Sequence, residues 1–374
     1  MSVVNTMKAK SMAVNKKGLI GVINHNLYYD IDNHVLLKTL EIGICGTDRD
    51  LALGNLNAMR LPPNQDYLII GHECKAEVMK LPKDYEGPLK EGDIVVSMVR
   101  RGCGKCKLCK IGMPEYCESG EFKELGIIEV NGCMAEYYVD EPQYLIKVPE
   151  GVVDYAVLAE PLSGIEKAIR DAIYYQSRIP YNCEDGSFKC RNVLVIGTGP
   201  IGLLTAAVFK MEGFDNVYIS NIRELRDKER IIINSLNVKY YNAIHGYDEL
   251  YKEIGGFDIV FDTTGKPSVV MNILNYMKYN GTVILYGFPR TDEVGIFKPA
   301  LMTDIVYKNI SLLGSVTGPM WGFKKALNHL SILKTNYPTV LNNIITNIIT
   351  IDEAIEYLKV KHPGEIKTII KFER

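Results

Sequence analysis

The chain has 374 residues, of which 47% are hydrophobic and 24% charged, as is ordinary for a globular protein of about two domains. Its formal net charge of −2 gives no electrostatic reason to expect nucleic acid or an anionic membrane as a partner. No apolar run approaches the roughly 20 residues that span a bilayer, and no signal-peptide pattern opens the chain, so we expect a cytoplasmic protein. Its nine cysteines are then expected as metal ligands or buried thiols rather than as disulfides.

The first 150 residues or so predict short strands, because β-prone runs alternate with clusters of glycine, proline and aspartate. This pattern favours antiparallel, barrel-like packing. A helix is predicted next, where apolar residues recur at helical spacing over residues 160–175. The predicted strands are 35–44, 67–70, 76–81, 94–99 and 136–139.

From residue 192 the pattern alternates between strand and helix, which predicts a parallel, doubly wound sheet. The last segment of the chain is too short for a domain, so we expect it to fold back onto the first. Predicted strands are 193–196, 216–220, 257–262, 282–286 and 310–313, with a closing strand at 365–372; predicted helices are 200–211, 269–277, 321–333 and 352–360.

A glycine-rich turn follows the first strand of this alternating part. Residues 193–202 read Val-Leu-Val-Ile-Gly-Thr-Gly-Pro-Ile-Gly. In a dinucleotide site, Gly197 allows the tight turn, Gly199 lets the backbone approach a pyrophosphate, and Gly202 packs the helix on the strand. The phosphates would meet N–H groups at the positive end of the helix. Such a triplet also occurs in ordinary turns, but the flanking strand and helix favour a dinucleotide site.

Four cysteines within fifteen residues predict a structural zinc site. Cys103, Cys106, Cys109 and Cys117 offer the four thiolates that tetrahedral zinc takes, and their close spacing keeps the loop cost low. Four filled positions leave no room for a substrate. A redox role for these cysteines is disfavoured because they lack a strand-to-helix setting.

A second, dispersed set predicts a catalytic zinc. Cys45 lies in Gly-Ile-Cys-Gly-Thr-Asp, His72 and Glu73 follow Gly71, and Glu160 lies further along the chain. A catalytic zinc needs mixed thiolate, imidazole and carboxylate ligands with one position open. Taken singly, Cys45 also fits a core thiol and His72 a buried histidine. Of the other thiols, Cys74 and Cys133 are expected in the core, while Cys183 and Cys190 stay unassigned.

With these motifs in this order, the chain resembles the zinc-dependent medium-chain dehydrogenase/reductase family over essentially its whole length. Within that family it is most similar to the glucose (aldose) 1-dehydrogenase branch. The segments that carry the resemblance are 43–48, 71–73, the four-cysteine lobe, 197–202, and, for the branch, 100–104, 117–124, 158–162 and the insert 153–191.

The resemblance implies an α/β protein with a distorted β-barrel (GroES-like) catalytic domain and a Rossmann domain with a doubly wound parallel sheet. The catalytic domain would comprise residues 1–165, with its structural zinc lobe at about 100–120. The nucleotide-binding domain would comprise 166–308, and 309–374 would complete the catalytic domain. The resemblance also implies a homo-oligomer, either a dimer or a tetramer.

The resemblance implies two zinc ions per chain, with catalytic zinc held by Cys45, His72 and Glu73. Glu160 would act as an inner- or second-sphere carboxylate of that zinc, and Thr47 would bond the reacting hydroxyl. Thr47, Glu73 and Glu160 are thus the catalytic candidates. For the sugar we expect contacts from Thr47, Glu124, Glu160 and Thr317, and for the cofactor contacts from Gly197, Gly199, Pro200, Ile201, Gly202, Asn221, Ile222, Arg223, Gly287, Phe288, Ser315, Val316 and Thr317.

The end of the second strand bears on cofactor choice. NAD enzymes place a carboxylate about 20 residues past the glycines, and no carboxylate stands at the tip of this strand. Asn221 can donate to a phosphate and Arg223 can pair with it bidentately, so we favour NADP, with NAD possible. The family tends to have a second arginine where this chain has Ile222, which would weaken the phosphate site. Arg223 also fits a solvated surface charge.

The sugar pocket departs from the branch. Where its members usually carry Asn, His, Asp and Asn, this chain has Val99, Tyr307, Gly164 and Thr317. A site that bonds hydroxyls discriminates steeply when such groups are lost. The resemblance implies oxidation of an aldose at C1 to the lactone, with glucose first among the candidates. The lost groups leave open whether the sugar is another aldose or glucose held differently. The alternatives are a polyol, threonine or other alcohol dehydrogenase of the same family, or a protein that only binds nucleotide.

Overall fold

The structure is a computed structural model that describes residues 4–30, 32–56, 59–179, 183–289 and 295–373. The chain divides into two compact units. The first comprises Met1–Ser163, Thr317–Lys334 and Ile345–Arg374, and the second Gly164–Val316 and Thr335–Ile344.

The two compact units divide the C-terminal part of the chain differently from the predicted domains. The first boundary, predicted after residue 165, lies after Ser163. Two parts of the predicted catalytic segment 309–374 lie in the second compact unit. Strand Ser311–Gly314 belongs to the second unit because it pairs with strand Met277–Leu285 of the parallel sheet. Helix Pro338–Ile344 belongs there too, since it packs on helix Asp227–Ser235.

The first unit is built from antiparallel sheets, as predicted from its short strands. Its largest sheet has seven strands and buries a core that includes Leu37, Ile42, Val95 and Ile370. Two pairs depart from the antiparallel rule, Ile345–Ile349 with Lys367–Lys371 and Lys123–Leu125 with Glu129–Val130. Along the large sheet the strands are Leu145–Lys147, Ile94–Ser97, Glu73–Lys80, Val35–Gly43, Lys367–Lys371 and Ile345–Ile349, with Tyr137–Asp140 also paired to Val35–Gly43.

Two smaller sheets complete the first unit. A long N-terminal hairpin of Val4–Asn15 and Ile20–Asp30, which the sequence analysis did not single out, pairs with Tyr67–Ile69. Most side chains of its second strand are only partly buried, so an apolar alternation is weak there. The third sheet contains Arg100–Arg101, Lys123–Leu125 and Glu129–Val130. The helical elements of this unit include Gly46–Ala52, Lys107–Lys110, Pro114–Tyr116, Pro142–Tyr144, Glu150–Leu158, Met320–Asn336 and Ala354–Lys359.

The second unit contains the predicted parallel, doubly wound sheet. Its central strand, Asn192–Ile196, is buried at all five positions, as expected of a strand covered on both faces. In spatial order the six strands are Lys239–Asn242, Asn216–Asn221, Asn192–Ile196, Phe257–Asp262, Met277–Leu285 and Ser311–Gly314. The chain order reverses beside the first strand, which is the position of the ligand crevice in this type of sheet.

Proline starts several helices of this unit, where its missing N–H costs nothing and its fixed φ suits the first turn. The helical elements are Ala159–Gln176, which begins in the first unit, followed by Pro200–Met211, Asp227–Ser235, Asp248–Ile254, Pro267–Ile273, Leu274–Tyr276, Pro299–Tyr307 and Pro338–Ile344. None of the helices in the described residues is both long and apolar enough to cross a membrane.

One expectation about the cysteines is wrong. Cys183 and Cys190 form a disulfide, with their Cα atoms 5.8 Å apart, in the loop that leads into the central strand. The sequence left these two thiols unassigned, because a seven-residue separation does not by itself bring two side chains together. Cys74 and Cys133 are free and buried, as predicted.

Candidate metal centres and dinucleotide site

The four-cysteine lobe brings its thiols together as predicted. The sulfurs of Cys103, Cys106, Cys109 and Cys117 all lie within 4.8 Å of one another. The Cys103 and Cys109 sulfurs are 3.9 Å apart. Tetrahedral zinc with Zn–S bonds of about 2.3 Å requires sulfurs about 3.8 Å apart, so the spacing fits this metal.

The local backbone prepares these sulfurs for a cation. The N–H groups of Lys105 and Cys106 point at the Cys103 sulfur from 3.4 and 3.3 Å. Hydrogen bonding from Ser119 and then from these N–H groups lowers the pKa of Cys103 to about 6, and the thiolate is the form that binds metal. Gly102 also serves the lobe, because a Cβ there would lie 2.4 Å from the Cys109 sulfur.

A second cluster forms in the first unit from residues far apart in the sequence. Cys45 caps the N-terminus of helix Gly46–Ala52, while His72 and Glu73 lie at the start of a buried strand. One ligand atom from each of the three lies within 4.8 Å of the others. Thiolate, imidazole and carboxylate together are the mixed donor set of an open zinc site, so these residues fit a catalytic zinc.

Asp48 orients two members of this cluster, a role that the sequence analysis missed. Its Oδ2 accepts the Cys45 N–H at 2.8 Å, and its Oδ1 lies 3.4 Å from His72 Nδ1. Burial lowers the pKa of His72, but the effects of Asp48 and Cys45 outweigh burial, and the pKa lies well above its usual value. With Nδ1 facing a carboxylate, Nε2 is the nitrogen left for a metal, which is the usual arrangement of zinc-bound histidines.

Lys367 is a buried cation beside the cluster, and the sequence carried no signal for it. Its Nζ contacts Glu73 Oε2 and donates to the Ile44 carbonyl at 3.0 Å. Burial lowers the pKa of Lys367, but the attraction of Glu73 and Cys45 outweighs this and raises it. The ammonium therefore offsets part of the negative charge that the ligand set gathers.

The remaining catalytic candidates lie near this cluster. Glu160 is outside the group of atoms within 4.8 Å, which favours a second-sphere position over a direct ligand. Burial raises the pKa of Glu160 to about 7; His72 opposes the shift and Glu73 adds to it. Thr47 occupies the first turn of the helix that Cys45 caps, two residues from Cys45.

Glu124, predicted to bind a sugar hydroxyl, is held by an arginine. Arg100 donates to Glu124 Oε1 through Nε at 2.9 Å and through Nη2 at 2.8 Å, and both side chains are buried. The guanidinium also stacks on Phe122, 3.9 Å from the ring centre. Glu124 is thus held in a fixed position by Arg100.

Thr317, expected at the sugar and the cofactor, has an unusual conformation. Its φ is +56°, a left-handed value that is an outlier for a β-branched residue. The residue is 9% exposed, and its Oγ1 has no hydrogen-bond partner among the described residues. Strain combined with an unpartnered buried hydroxyl is typical of functional positions.

Three positions where the sequence departs from the branch have different surroundings in the structure. A Cβ on Gly164 would lie 2.3 Å from the hydroxyl oxygen of Tyr286, so the tyrosine fills the space where the branch has an aspartate side chain. A polar atom, the Tyr286 hydroxyl, therefore lies beside Gly164. Val99 is 4% exposed and packs with Ile127 and Ile128, whereas Tyr307 is 74% exposed.

The glycine turn of the second unit has the predicted form. Gly197 has φ +108°, and a Cβ on Gly202 would lie 1.9 Å from the Gly197 carbonyl oxygen. Gly199 caps helix Pro200–Met211 without a side-chain hydrogen bond, and nothing lies within 4 Å of where its Cβ would be. The free helix N-terminus and the open space above Gly199 fit a pyrophosphate.

The other cofactor candidates follow the carboxyl ends of parallel strands, where such ligands bind. Gly287 lies so close to Gly265 that a Cβ on Gly287 would be 2.3 Å from the Gly265 backbone nitrogen. Ser315 Oγ bonds Lys167 Nζ at 3.1 Å, and the neighbouring Val316 is 37% exposed. Phe288 is 57% exposed.

The adenosine end of the site needs a correction. No carboxylate follows the strand directly, but Glu229 reaches its tip from helix Asp227–Ser235 and bonds Arg223 Nη2 at 2.6 Å. Burial raises the pKa of Glu229, but the hydrogen bonds from Arg223 and Arg226 outweigh it and lower that pKa. Arg223 is therefore paired and not a merely solvated charge, while Ile222 is 63% exposed.

Comparison with known proteins identifies the chain's relatives. Residues 31–150 match the alcohol dehydrogenase GroES-like domain, and residues 153–372 match the C-terminus of glucose dehydrogenase. Glucose 1-dehydrogenase 2 of Saccharolobus solfataricus is 40% identical over 345 residues, covering 91% of this chain and 92% of that protein. The chain belongs to the glucose dehydrogenase branch of the zinc-dependent medium-chain dehydrogenase/reductase family.

Other members of this glucose dehydrogenase branch match almost end to end. Glucose 1-dehydrogenase 2 of Caldivirga maquilingensis is 35% identical over 373 residues, covering 98% of both chains. The Haloferax mediterranei glucose dehydrogenase, solved in complex with NADP, Zn and gluconolactone, superposes with a TM-score of 0.85 at 26% identity and covers 98% of this chain and 99% of that one. The predicted fold class, a GroES-like catalytic domain with a Rossmann domain, is confirmed.

Proposed function

We propose that this protein oxidises glucose at C1 to the lactone and transfers the hydride to NADP, with NAD as a second cofactor. The observation that carries the proposal is the group of Cys45, His72 and Glu73, whose ligand atoms lie within 4.8 Å of one another in a chain of the glucose dehydrogenase branch. We also propose two zinc ions per chain, a homo-oligomer and a cytoplasmic location.

The chain's own residues would bind, orient and deprotonate the substrate. When bound, zinc at Cys45, His72 and Glu73 would supply Lewis-acid polarisation of the C1 hydroxyl, and the dinucleotide would accept the hydride. Thr47 would receive the hydrogen bond from that hydroxyl. Glu160 would take up the proton, since a pKa of about 7 suits a base that works near neutrality.

The sugar would be positioned by groups that the fold holds rigid. Both bonds from Arg100 end on Glu124 Oε1, so we assign Oε2 to a ring hydroxyl of the sugar. The unpartnered Thr317 hydroxyl would bind the sugar or the cofactor. Both residues are ordered by burial before substrate arrives, which lowers the entropy cost of orientation.

Cys45→Ser tests the metal assignment. We expect this variant to keep one zinc per chain, in the four-cysteine lobe, and to lose turnover, because serine is a poor zinc ligand. Cys74→Ser is the matched control: Cys74 is a buried thiol outside the cluster, so it should keep two zincs and measurable turnover. Elemental analysis and initial rates measure both. A Cys45→Ser protein with two zincs and normal turnover contradicts the catalytic centre.

A substrate panel tests the reaction. Aldoses oxidised at C1 would be compared with sorbitol, threonine and ethanol, with both cofactors. We expect turnover of glucose and a drop in kcat/KM of roughly 30-fold to 150-fold on Glu124→Ala, as for a lost hydrogen bond to a charged group. Turnover of simple alcohols and not aldoses, with Glu124→Ala silent, favours the alcohol dehydrogenase alternative.

Light scattering of the purified protein tests the oligomer. A dimer or tetramer supports the proposal, and a monomer at micromolar concentration contradicts it.

A further inference from the structure

We propose that Glu229 competes with the 2′-phosphate of NADP for Arg223 and thereby narrows the enzyme's preference for NADP over NAD. The inference rests on the proposed function, because it concerns how that site reads its cofactor. Glu229 lies outside the strand and turn from which the sequence predicts cofactor contacts.

The hydrogen bonds of Arg223 show why a competition arises. Nη1 donates to Glu229 Oε2 at 2.8 Å and to the Glu224 carbonyl at 2.8 Å. Nη2 donates to Glu229 Oε1 at 2.6 Å and to Thr198 Oγ1 at 3.3 Å. A guanidinium carries two hydrogens on each Nη, so all four are engaged. A bidentate bond to a phosphate therefore requires Arg223 to give up bonds that it already makes.

The surroundings make those bonds costly to give up. The Glu229 side chain is 2% exposed, and the Arg223 side chain is 36% exposed. If Arg223 turned to a phosphate, Glu229 would keep the Arg226 N–H at 2.9 Å and the Thr198 hydroxyl at 3.2 Å, but it would lose its charged partner. Because the Glu229 carboxylate is buried, loss of its charged partner is unfavourable.

The network also touches the pyrophosphate turn. Thr198 lies between the first two glycines, and its hydroxyl accepts from Asn221 Nδ2 at 2.7 Å while it donates to Glu229. The pair thus lies beside the glycine turn, at the end of the second strand, where the adenosine ribose binds in this type of domain. NAD has no 2′-phosphate and does not require the pair to open. Glu229 therefore competes for Arg223 only when NADP binds.

The test measures nucleotide binding without sugar. Dissociation constants of NADPH and NADH for the zinc-loaded protein would be obtained from nucleotide fluorescence, and their ratio gives the selectivity. Glu229→Gln keeps the shape of the side chain and removes its charge. We expect it to shift the ratio at least about fivefold toward NADPH, with NADH affinity nearly unchanged, because a released guanidinium can make charge-assisted bonds to the phosphate.

Two further variants separate the mechanism from a general charge effect. Glu224→Gln removes an exposed carboxylate next to Arg223 whose side chain bonds Asn242 instead, and it should leave the ratio unchanged. In an Arg223→Ala background, Glu229→Gln should no longer shift the ratio, because its effect acts through the arginine.

A Glu229→Gln protein with an unchanged or lowered NADPH preference overturns the inference, since Glu229 would then only position Arg223 or support the helix. If that variant does not fold, Glu229→Asp, which retracts the carboxylate, should shift the ratio in the same direction, and no shift there overturns it too. Failure to bind either nucleotide would instead overturn the proposed function, so the two failures are distinguishable.

Discussion

Thr317→Gly is expected to stabilise the protein while it impairs function. A left-handed conformation costs an L-residue roughly 1–2 kcal/mol, and Thr317 has φ +56°. Glycine removes that cost but adds about 0.4–1 kcal/mol of chain entropy to the unfolded state. Loss of the buried methyl group costs about 0.8 kcal/mol. Removal of an unpartnered buried hydroxyl returns about 1–3 kcal/mol.

These contributions leave a net gain of about 2 kcal/mol, which corresponds to a melting temperature about 4–8 °C higher for a domain of this size. Calorimetry of the zinc-loaded protein without sugar or nucleotide measures it. Thr303→Gly is the control, because that threonine lies in helix Pro299–Tyr307 and glycine there should cost about 0.3–0.5 kcal/mol. Thr317→Ser keeps the hydroxyl and should retain more activity than glycine.

A Thr317→Gly protein that is less stable than the wild type by 1 kcal/mol or more would refute this reasoning. Either the hydroxyl would then have a partner in solution, or the backbone would relax away from the left-handed region. A stable variant with unchanged KM for both glucose and NADP would leave the strain argument intact and contradict the proposed binding role.

Three further predictions follow from other parts of the molecule. Cys106→Ala should lower the thermal stability and the zinc content by one ion per chain, since structural zinc contributes folding energy; a fully stable variant in a melting assay would contradict the structural site. A Gly→Ala change within a helix usually raises the free energy of unfolding by roughly 1 kcal/mol, but Gly164→Ala should not, because its Cβ would meet the Tyr286 hydroxyl. The double variant with Tyr286→Phe should recover that stabilisation. Burial raises the pKa of Glu365, but the ion pair with Arg49 outweighs burial, so the pKa is lowered. The pair therefore stabilises the fold at pH values above the usual carboxyl pKa. This contribution is lost as the pH falls through the lowered pKa of Glu365. Urea unfolding across pH should therefore show Glu365→Gln less stable at neutrality and less sensitive to acid than the wild type; equal slopes would contradict the pairing.

The elements that local pattern specifies were predicted closely. Helix Pro200–Met211 and strand Phe257–Asp262 have the predicted bounds. Both combine a strong apolar run with glycine or proline at an end, and such signals act within a few residues. The N-terminal hairpin was not singled out because its partly buried second strand lacks a clear alternation. Strand Met277–Leu285 begins five residues before its predicted start, where Met277 pairs with Phe257 across a register shift.

The sequence by itself determined which donors are available for metal and phosphate. The local patterns are the four clustered cysteines, the set of Cys45, His72 and Glu73, and the glycine turn after an apolar strand. The structure brings the residues of each metal set together. Their chemistry follows from residue type and spacing, both of which can be read from the sequence.

Only the tertiary structure decided which charges surround those donors. Lys367, in the last strand, contacts Glu73, and Glu229, in the helix after Arg223, forms a bidentate ion pair with the Arg223 guanidinium. The Tyr286 hydroxyl likewise fills the space beside Gly164. No local pattern marks these residues, because a lysine in a strand or a glutamate in the first turn of a helix is ordinary at the surface. Their roles come from burial, which strengthens the attraction of Lys367 to Glu73 and of Glu229 to Arg223.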